Sequence, residues 1–240
     1  MKFIIDPKIF SDFANPKIGV IIASGIDNNG VNPEIASLLR TEETKIRSSF
    51  KAEELSLHPN IACWREAYKQ FGSKPRDFRC SIEALLRVIL RGDQVRDISK
   101  LVDLYNFISI KYVLPVGGED LSKIKGDLNL CFADGTEDYT PLHGEENDSP
   151  KKGEVIYKDD LGVLCRRWNW REGERTKITQ DTKDAVLVIE ALDPVTKEDL
   201  EKACNEFAEL IEKYCGGETQ VNILDKNSQN FHLTFSFNLS

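Results

Sequence analysis

The sequence has 240 residues, of which 40% are hydrophobic, and a formal net charge of −8. This length and apolar content are sufficient for a buried core, and the negative charge disfavours a protein that coats nucleic acid non-specifically, because neutralising phosphates requires clustered Lys and Arg. No stretch approaches the roughly 20 apolar residues of a membrane span, and the N-terminus lacks a basic start followed by an apolar run, so we expect a cytoplasmic protein with no membrane partner.

Six cysteines are spread along the chain, and none forms a C-x-x-C pair. Most lie within apolar strand or helix patterns, which favours buried free thiols in a reducing compartment over disulfides. The three histidines, His58, His143 and His232, lie at no metal-ligand spacing from a cysteine. We therefore expect neither a metal nor another cofactor.

The first 60 residues predict a strand–helix extension, and residues 61–240 predict the principal domain. Strands are expected at residues 1–6 and 18–24, the second because it is short, apolar and rich in β-branched side chains. Turn residues follow, and a helix is expected over residues 33–50 with proline in its first turn. We expect this extension to pack on the principal domain.

Basic residues are concentrated between Trp64 and Lys100, a segment with nine basic and five acidic residues. Residues 134–150, in contrast, contain six acidic residues and no basic one. This split permits an RNA contact on one side of the molecule. Helices that carry Lys and Arg on solvated faces explain the same pattern from charge alone. The candidates for phosphate contact are Arg76, Arg79, Arg87 and Arg91.

The stretch from Arg87 to Asp120 predicts helix, turn, helix and then a glycine-rich bend. Apolar residues over 98–108 fall at helical spacing, and Asp103 and Asn106 lie three apart on a neighbouring polar stripe. The helix is expected to end near Tyr112 because a proline follows three residues later.

The residues after this helix combine a proline with two glycines. Pro115 biases the residue before it to an extended conformation, and Gly117 and Gly118 permit backbone geometry that side chains forbid. A polar helix end is therefore expected to meet a flexible backbone.

Arginine and tryptophan alternate in the segment C-R-R-W-N-W-R at residues 165–171. In a regular strand Arg167 and Asn169 would lie on the face opposite Trp168 and Trp170, so that one side packs while the other reaches a ligand. Interleaved Arg and Trp suit stacking on a nucleotide base or an aromatic amino acid. A cross-strand cation–π ladder that only stabilises the sheet explains the pattern equally well.

The C-terminal part predicts a strand at residues 184–192, a helix that begins with a capping box at Thr196 and ends at Gly216, and two strands at 220–225 and 231–237. With the N-terminal strands, this gives an α+β fold in which one mixed β-sheet is flanked by helices.

One ordered set of residues resembles a known family. The pattern V-D-x-x-N-[FY]-x-x-x-x-x-x-L-P-x-x-G-x-D, preceded by L-R-x-x-L-R-G, is similar to the editing domain, or B3/B4 region, of bacterial phenylalanyl-tRNA synthetase beta chains, and the resemblance covers roughly residues 64–192. It implies a fold of that B3/B4 type. Gly117 stands where the synthetase has a histidine, and Glu119 where it has an aromatic residue. The matching residues are Val102, Asp103, Asn106, Phe107, Pro115 and Asp120.

In the synthetase family this region clears wrongly attached tyrosine from tRNA by hydrolysing the ester. The resemblance implies a pocket in which Asn106, Gly117, Gly118 and Glu174 are catalytic, with Glu174 matching the acidic residue that reads the polar group of the amino acid. No hydrolase motif is present, so we expect a positioned water and backbone N–H donors to carry the reaction. The expected substrate-binding residues are Glu119, Arg167, Asn169 and Trp170.

The resemblance favours a freestanding trans-editing aminoacyl-tRNA deacylase that clears mischarged tRNA. Aminoacyl-tRNA is then the expected partner, and DNA is not. Two alternatives come from other classes of protein: a tRNA- or RNA-binding module without hydrolytic activity, and a small-molecule binding protein that keeps the amino-acid pocket.

Overall fold

The computed structural model describes residues 1–233, which form six helices and ten strands. Its helices are α1 (Pro7–Asp12), α2 (Pro33–Ser49), α3 (Pro59–Gln70), α4 (Ser81–Leu90), α5 (Lys100–Tyr112) and α6 (Lys197–Cys215). Its strands are β1 (Lys2–Ile5), β2 (Lys17–Ser24), β3 (Val116–Asp120), β4 (Leu128–Phe132), β5 (Val155–Asp159), β6 (Gly162–Arg166), β7 (Arg171–Glu172), β8 (Ala185–Ala191), β9 (Glu218–Leu224) and β10 (Asn230–His232).

Two sheets share the core, which confirms the α+β class but corrects the single sheet that the sequence suggested. One sheet has the order β10-β1-β4-β5-β6-β7, with β1 and β4 parallel and the other pairs antiparallel. The other has the order β3-β8-β2-β9 and is antiparallel throughout. The last two strands lie in different sheets, because β9 pairs with β2 and β10 pairs with β1. The strand predicted at 231–237 extends past residue 233, so its end lies outside the described residues.

The two N-terminal strands lie in different sheets. β2 lies between β8 and β9 and is buried along nearly its whole length, while β1 lies between β10 and β4. Residues 1–60 therefore share their core with residues 61–233, because strands from both parts hydrogen-bond to one another in each sheet.

Local signals explain the ends of the helices. α2 begins where the Asn32 side chain accepts the N–H groups of Glu34 and Ile35, which satisfies donors that have no partner inside the helix. α5 ends at Tyr112 as predicted, and Val113 follows in the left-handed conformation with φ of 54°. α5 begins only at Lys100, so the apolar Ile98 lies outside it and is exposed.

None of the helices in residues 1–233 has the length and apolarity needed to cross a membrane. The six cysteines are all free thiols, and four of them are buried. Burial raises the pKa of these thiols, for example that of Cys215 to about 11, so they remain protonated and behave as small apolar side chains.

The contact between β2 and α6 depends on a glycine. A Cβ atom added at Gly19 would overlap the sulfur of Cys204, which is buried on the inner face of α6. Because protein cores are close-packed, this helix can lie against the sheet only while position 19 has no side chain.

We expect Gly19→Ala to lower the free energy of unfolding by about 1–3 kcal/mol through overpacking. Cys204→Ala removes the overlapping sulfur. The double variant should therefore lose less free energy of unfolding than the sum of the losses in the two single variants. Urea unfolding measures all three variants.

The matched control combines Gly19→Ala with Cys215→Ala, since Cys215 is buried on the same helix but is not in contact with position 19. Those two losses should add to within about 0.5 kcal/mol. Equal additivity in both pairs would contradict the proposed contact.

Candidate functional site

A cavity of about 310 Å³ is lined by residues of both sheets and by residues of α4 and α5. Most of its wall is apolar, as in pockets that bind small ligands. The strands β3 and β8 contribute one side, and β5, β6 and the residues from Trp168 to Glu172 contribute another.

Three glutamates from three different strands line this cavity: Glu119 on β3, Glu172 on β7 and Glu190 on β8. Glu119 and Glu190 are 6% and 2% exposed. Burying an ionised carboxylate is costly unless a partner compensates it, so the surroundings of each group decide its protonation state.

Glu190 has protein partners on both carboxyl oxygens. The Tyr157 hydroxyl donates to Oε1 at 2.5 Å, and the Asn169 side-chain amide donates to Oε2 at 2.7 Å. The Tyr68 hydroxyl in turn donates to Asn169 Oδ1 at 3.0 Å, which orients that amide. Burial outweighs these donors and raises the pKa of Glu190 to about 8.

Glu119 and Glu172 are less well compensated. The Oε2 atom of each is buried without a hydrogen-bond partner among residues 1–233. The nearby cations are engaged elsewhere, since Arg175 pairs with Asp159 at 2.6 Å and Lys177 pairs with Glu174. Arg171, which lines the cavity, donates to Leu142 O at 3.2 Å. Burial raises the pKa of both carboxyls, that of Glu172 to about 7, and the closeness of Glu172 raises the pKa of Glu119 further, so the pair holds a proton at neutral pH.

Gly117 and Gly118 lie in strand β3, which corrects the flexible bend expected from the sequence. Neither has a positive φ. A Cβ at Gly117 would lie 2.6 Å from Glu172 Oε1, and a Cβ at Gly118 would lie 2.5 Å from Leu187 Cδ2. These glycines provide space and not a special conformation, and the Glu172 carboxyl occupies the volume next to the position of the family's histidine.

The N–H group of Gly118 points away from the rest of its sheet. β3 is an edge strand, and Asp120 donates its N–H to Thr176 O at 2.8 Å instead of to β8. Because successive N–H groups alternate in direction along an antiparallel strand, the N–H of Gly118, two residues earlier, also points away from β8. No acceptor for this N–H lies among residues 1–233, so it can donate to a ligand.

Asn106 lines the cavity from α5 and is 6% exposed. Its side-chain amide makes no hydrogen bond to the residues that the structure describes, although a buried amide normally has partners. Asp103, three residues earlier, is not at the cavity and instead accepts the N–H of Ile98 at 2.8 Å. Of the predicted polar stripe, only Asn106 reaches the site.

Glu174 does not line the cavity, which corrects the expected pocket. Its carboxylate accepts the backbone N–H of His143 at 2.9 Å and pairs with Lys177. β7 ends at Glu172, so the strand alternation that would bring residue 174 to the same side is lost. Glu172, two residues earlier, lines the cavity instead.

Glu190 was not among the predicted site residues. A charged residue within the otherwise apolar run of β8 was the signal that could have identified it, because buried acidic residues are rare unless they have a role.

The Arg–Trp segment is not one continuous strand. β6 ends at Arg166, and Arg167 and Trp168 both have positive φ, 49° and 65°. This break turns Asn169 and Trp170 toward the cavity, whereas strand alternation would have placed them on opposite faces.

Arg167 takes another place, which corrects its predicted role in binding the substrate. Its guanidinium centre lies 3.6 Å from the Phe78 ring centroid and 4.5 Å from that of Trp170, and it pairs with Glu154 at 3.1 Å. It is not among the cavity residues. The positive φ of Arg167 removed it from the face on which strand alternation would have placed it.

The four predicted RNA-binding arginines differ in their surroundings. Arg87 donates to the fully buried Glu83 at 2.9 and 3.0 Å, and Arg79 lies 3.9 Å from the same carboxylate. Arg76 is exposed, and Arg91 lies 3.7 Å from Asp93 at the end of α4.

Arg65 also donates to the two carboxylate oxygens of Glu83, at 2.9 and 3.0 Å. One buried acid therefore contacts three arginines. The cluster keeps a net positive charge. It lies beside the cavity, because Ala84, Leu85 and Val88 of the same helix line that cavity.

Comparisons with known proteins agree with this picture. Residues 63–216 match the B3/4 domain family. A phenylalanine–tRNA ligase beta subunit from Shewanella oneidensis is 32% identical over 98 residues, which cover 41% of this chain and 12% of that protein. The corresponding subunit from Cereibacter sphaeroides is 30% identical over 117 residues, covering 46% and 14%.

This chain therefore matches only a small part of the length of these curated relatives. A solved N-terminal fragment of the phenylalanyl-tRNA synthetase beta subunit from Pyrococcus horikoshii has 15% identity and a TM-score of 0.46, over 90% of this chain and 49% of that one. Because the family match covers well over half of the sequence, this chain belongs to the B3/4 domain family.

Proposed function

We propose that this protein hydrolyses the ester of a mischarged aminoacyl-tRNA, with the amino acid bound in the cavity between the sheets. The observation that carries the proposal is the free Asn106 amide, which lies buried in the same cavity as the carboxyl pair of Glu119 and Glu172. The relatives are tRNA ligase subunits by name, which supports tRNA as the carrier of the ester.

The cavity favours water as the nucleophile over a protein side chain. Cys165 lines it, but burial holds the pKa of this thiol well above its ordinary value, so the reactive thiolate is not formed. Ser81 also lines it, but its buried hydroxyl has no hydrogen-bond partner among the described residues that could act as a base.

An aminoacyl ester is already activated, so positioning supplies much of the rate. The water oxygen bonds to the ester carbonyl carbon, and negative charge develops on the carbonyl oxygen. The carbon–oxygen bond to the ribose then breaks, and the ribose oxygen leaves as a hydroxyl because it takes up the proton that the attacking water loses. In this proposal the Asn106 amide and the Gly118 N–H donate to the developing oxyanion.

The carboxyl pair binds the amino-acid part. Glu172 takes the role that the sequence assigned to Glu174, since its carboxyl lies in the cavity. Asn169 and Trp170 form the adjoining wall, and the apolar strand residues accept the aliphatic part of the side chain.

The tRNA backbone is proposed to lie across the arginine cluster around Glu83 and the adjacent loop. Lys69, Lys74 and Arg76 line a shallow groove there together with Arg65, one of the three arginines that Glu83 holds. Clustered basic groups beside a cavity suit a ligand that carries phosphates on one side and a reactive ester at its end.

We expect Asn106→Ala to reduce deacylation of a mischarged tRNA by about a hundredfold, because one oxyanion donor is lost, while tRNA affinity stays the same. Single-turnover deacylation across a panel of mischarged tRNAs, with filter binding in parallel, measures both quantities. Glu174→Ala is the comparison, since its carboxylate lies outside the cavity, and it should deacylate as the unmodified protein does.

A protein that binds tRNA yet leaves every ester in the panel intact would overturn the enzyme proposal. It would favour the RNA-binding module instead. Equal losses in Asn106→Ala and Glu174→Ala would contradict the assignment of the cavity as the site.

The proposed RNA face is tested by reversing charge at Lys74 and Arg76, two exposed residues in the loop before α4. The double Glu variant should bind tRNA more weakly and with a shallower salt dependence, because it neutralises fewer phosphates. Hydrolysis of a minimal aminoacyl-adenosine ester, which lacks that backbone, should not change.

The matched control reverses Lys151 and Lys152, which are also exposed and change the net charge equally. If both double variants lose the same tRNA affinity, the effect is one of overall charge and the proposed face is wrong.

A further inference from the structure

The carboxyl pair of Glu119 and Glu172 is the least compensated group in the cavity. Both Oε2 atoms are buried and unpartnered among residues 1–233, whereas Glu190 is satisfied by Tyr157 and Asn169. Arg171 lines the same cavity but donates to Leu142 O at 3.2 Å and forms no salt bridge with either acid. The two acids therefore leave a position for a positive charge, because each ionised carboxylate offers only acceptors.

We propose that this pair binds an ammonium group of the ligand, so that the amino acid is selected by charge. The identity of the ligand as an aminoacyl ester rests on the proposed function; the site for an ammonium group does not. An ammonium group has three donors and can satisfy both free oxygens, and charge-assisted hydrogen bonds are the strong ones.

Other ligand groups differ from an ammonium group in what they do to the proton of the pair. A hydroxyl can donate to one carboxyl and accept from the protonated other, so it binds without releasing that proton. A metal ion is disfavoured because the described residues contain no group of three or more His, Cys, Asp or Glu placed to hold one. An organic cation on an apolar arm matches both the pair and the apolar wall beside it.

Gly117 makes the arrangement possible. Any side chain there would have to displace the Glu172 carboxyl, whose Oε1 lies 2.6 Å from the ideal Cβ position. The strand places residues 117 and 119 on the same face, so the missing side chain creates the room in which the two acids meet.

Two sources of ammonium are possible, the α-amino group and an amino group on the side chain. The experiment uses stable amides of 3′-amino-3′-deoxyadenosine, measured by titration calorimetry with the intact protein. The acyl groups are ornithine, norleucine, 2-hydroxyhexanoic acid and tyrosine. Ornithine and norleucine differ only in the terminal ammonium, and 2-hydroxyhexanoic acid is norleucine without the α-amine.

Tighter binding of the ornithine amide than of the norleucine amide, by about tenfold to a hundredfold, identifies the side-chain ammonium. If the ornithine and norleucine amides bind equally and the hydroxy-acid amide binds more weakly by a similar factor, the pair binds the α-ammonium. In both cases Glu119→Gln and Glu172→Gln should abolish the difference, and the exposed Glu209→Gln should keep it.

Binding of the ammonium should also release a proton to the buffer, because the empty pair holds one and the cation replaces it. Titrations in two buffers of different ionisation enthalpy detect this release, and the hydroxy acid serves as the ligand that releases less. The inference is overturned if binding does not depend on any ammonium group, or if the tyrosine amide binds tightest without proton release.

The outcome is separable from that of the proposed function. Ammonium-dependent binding without deacylation would refute the enzyme and leave the site intact. Deacylation of a mischarged tRNA, together with amide binding that does not depend on an ammonium group, would support the enzyme and refute the ammonium site.

Discussion

The structure depends on keeping three carboxyl groups in a largely apolar cavity in which none of them forms a salt bridge with a described residue. Glu119, Glu172 and Glu190 come from three strands in two sheets, so the sheets must meet at this point for the cavity to form. Their protons reduce the cost of burial, and Tyr157 and Asn169 stabilise one of them. A site of this kind is poised to accept charge from a ligand.

The N-terminal strands contribute to this arrangement from a distance. β2 hydrogen-bonds to β8, the strand that carries Glu190, and packs against α6 through Gly19. β1 pairs with β4, whose Leu128 lines the cavity. Residues that precede the family match are therefore part of the frame that holds the site, and their loss would remove hydrogen-bonded neighbours from both sheets.

The sequence predicted most elements and one end of the site well. The helical period and Pro115 predicted the end of α5, and the resemblance indicated Asn106, Gly117 and Glu119, all of which line the cavity. The end of α5 could be predicted because it depends on local spacing, which tertiary packing did not override. The roles of the three cavity residues stay predictions.

Other predictions failed where long-range contacts decide. Glu172 lines the cavity and Glu174 does not, because β7 ends at Glu172. Arg167 lies outside the cavity because its positive φ interrupts the strand alternation. The glycines of β3 were attributed to backbone freedom, whereas their reason is space for a carboxyl from another strand. No local pattern reports such a contact.

The measurement that tests the account most directly is the titration of the cavity carboxyls themselves. Carbon-13 NMR of protein labelled at the glutamate carboxyl carbon, with Glu→Gln variants at 119, 172 and 190 for assignment, gives each pKa. The account predicts that Glu190 titrates at a pKa of about 8 and that the pKa values of Glu119 and Glu172 both lie above the ordinary glutamate value. Three ordinary titrations, near the model-peptide pKa of about 4.3, would show that the groups are solvated and would contradict the central claim.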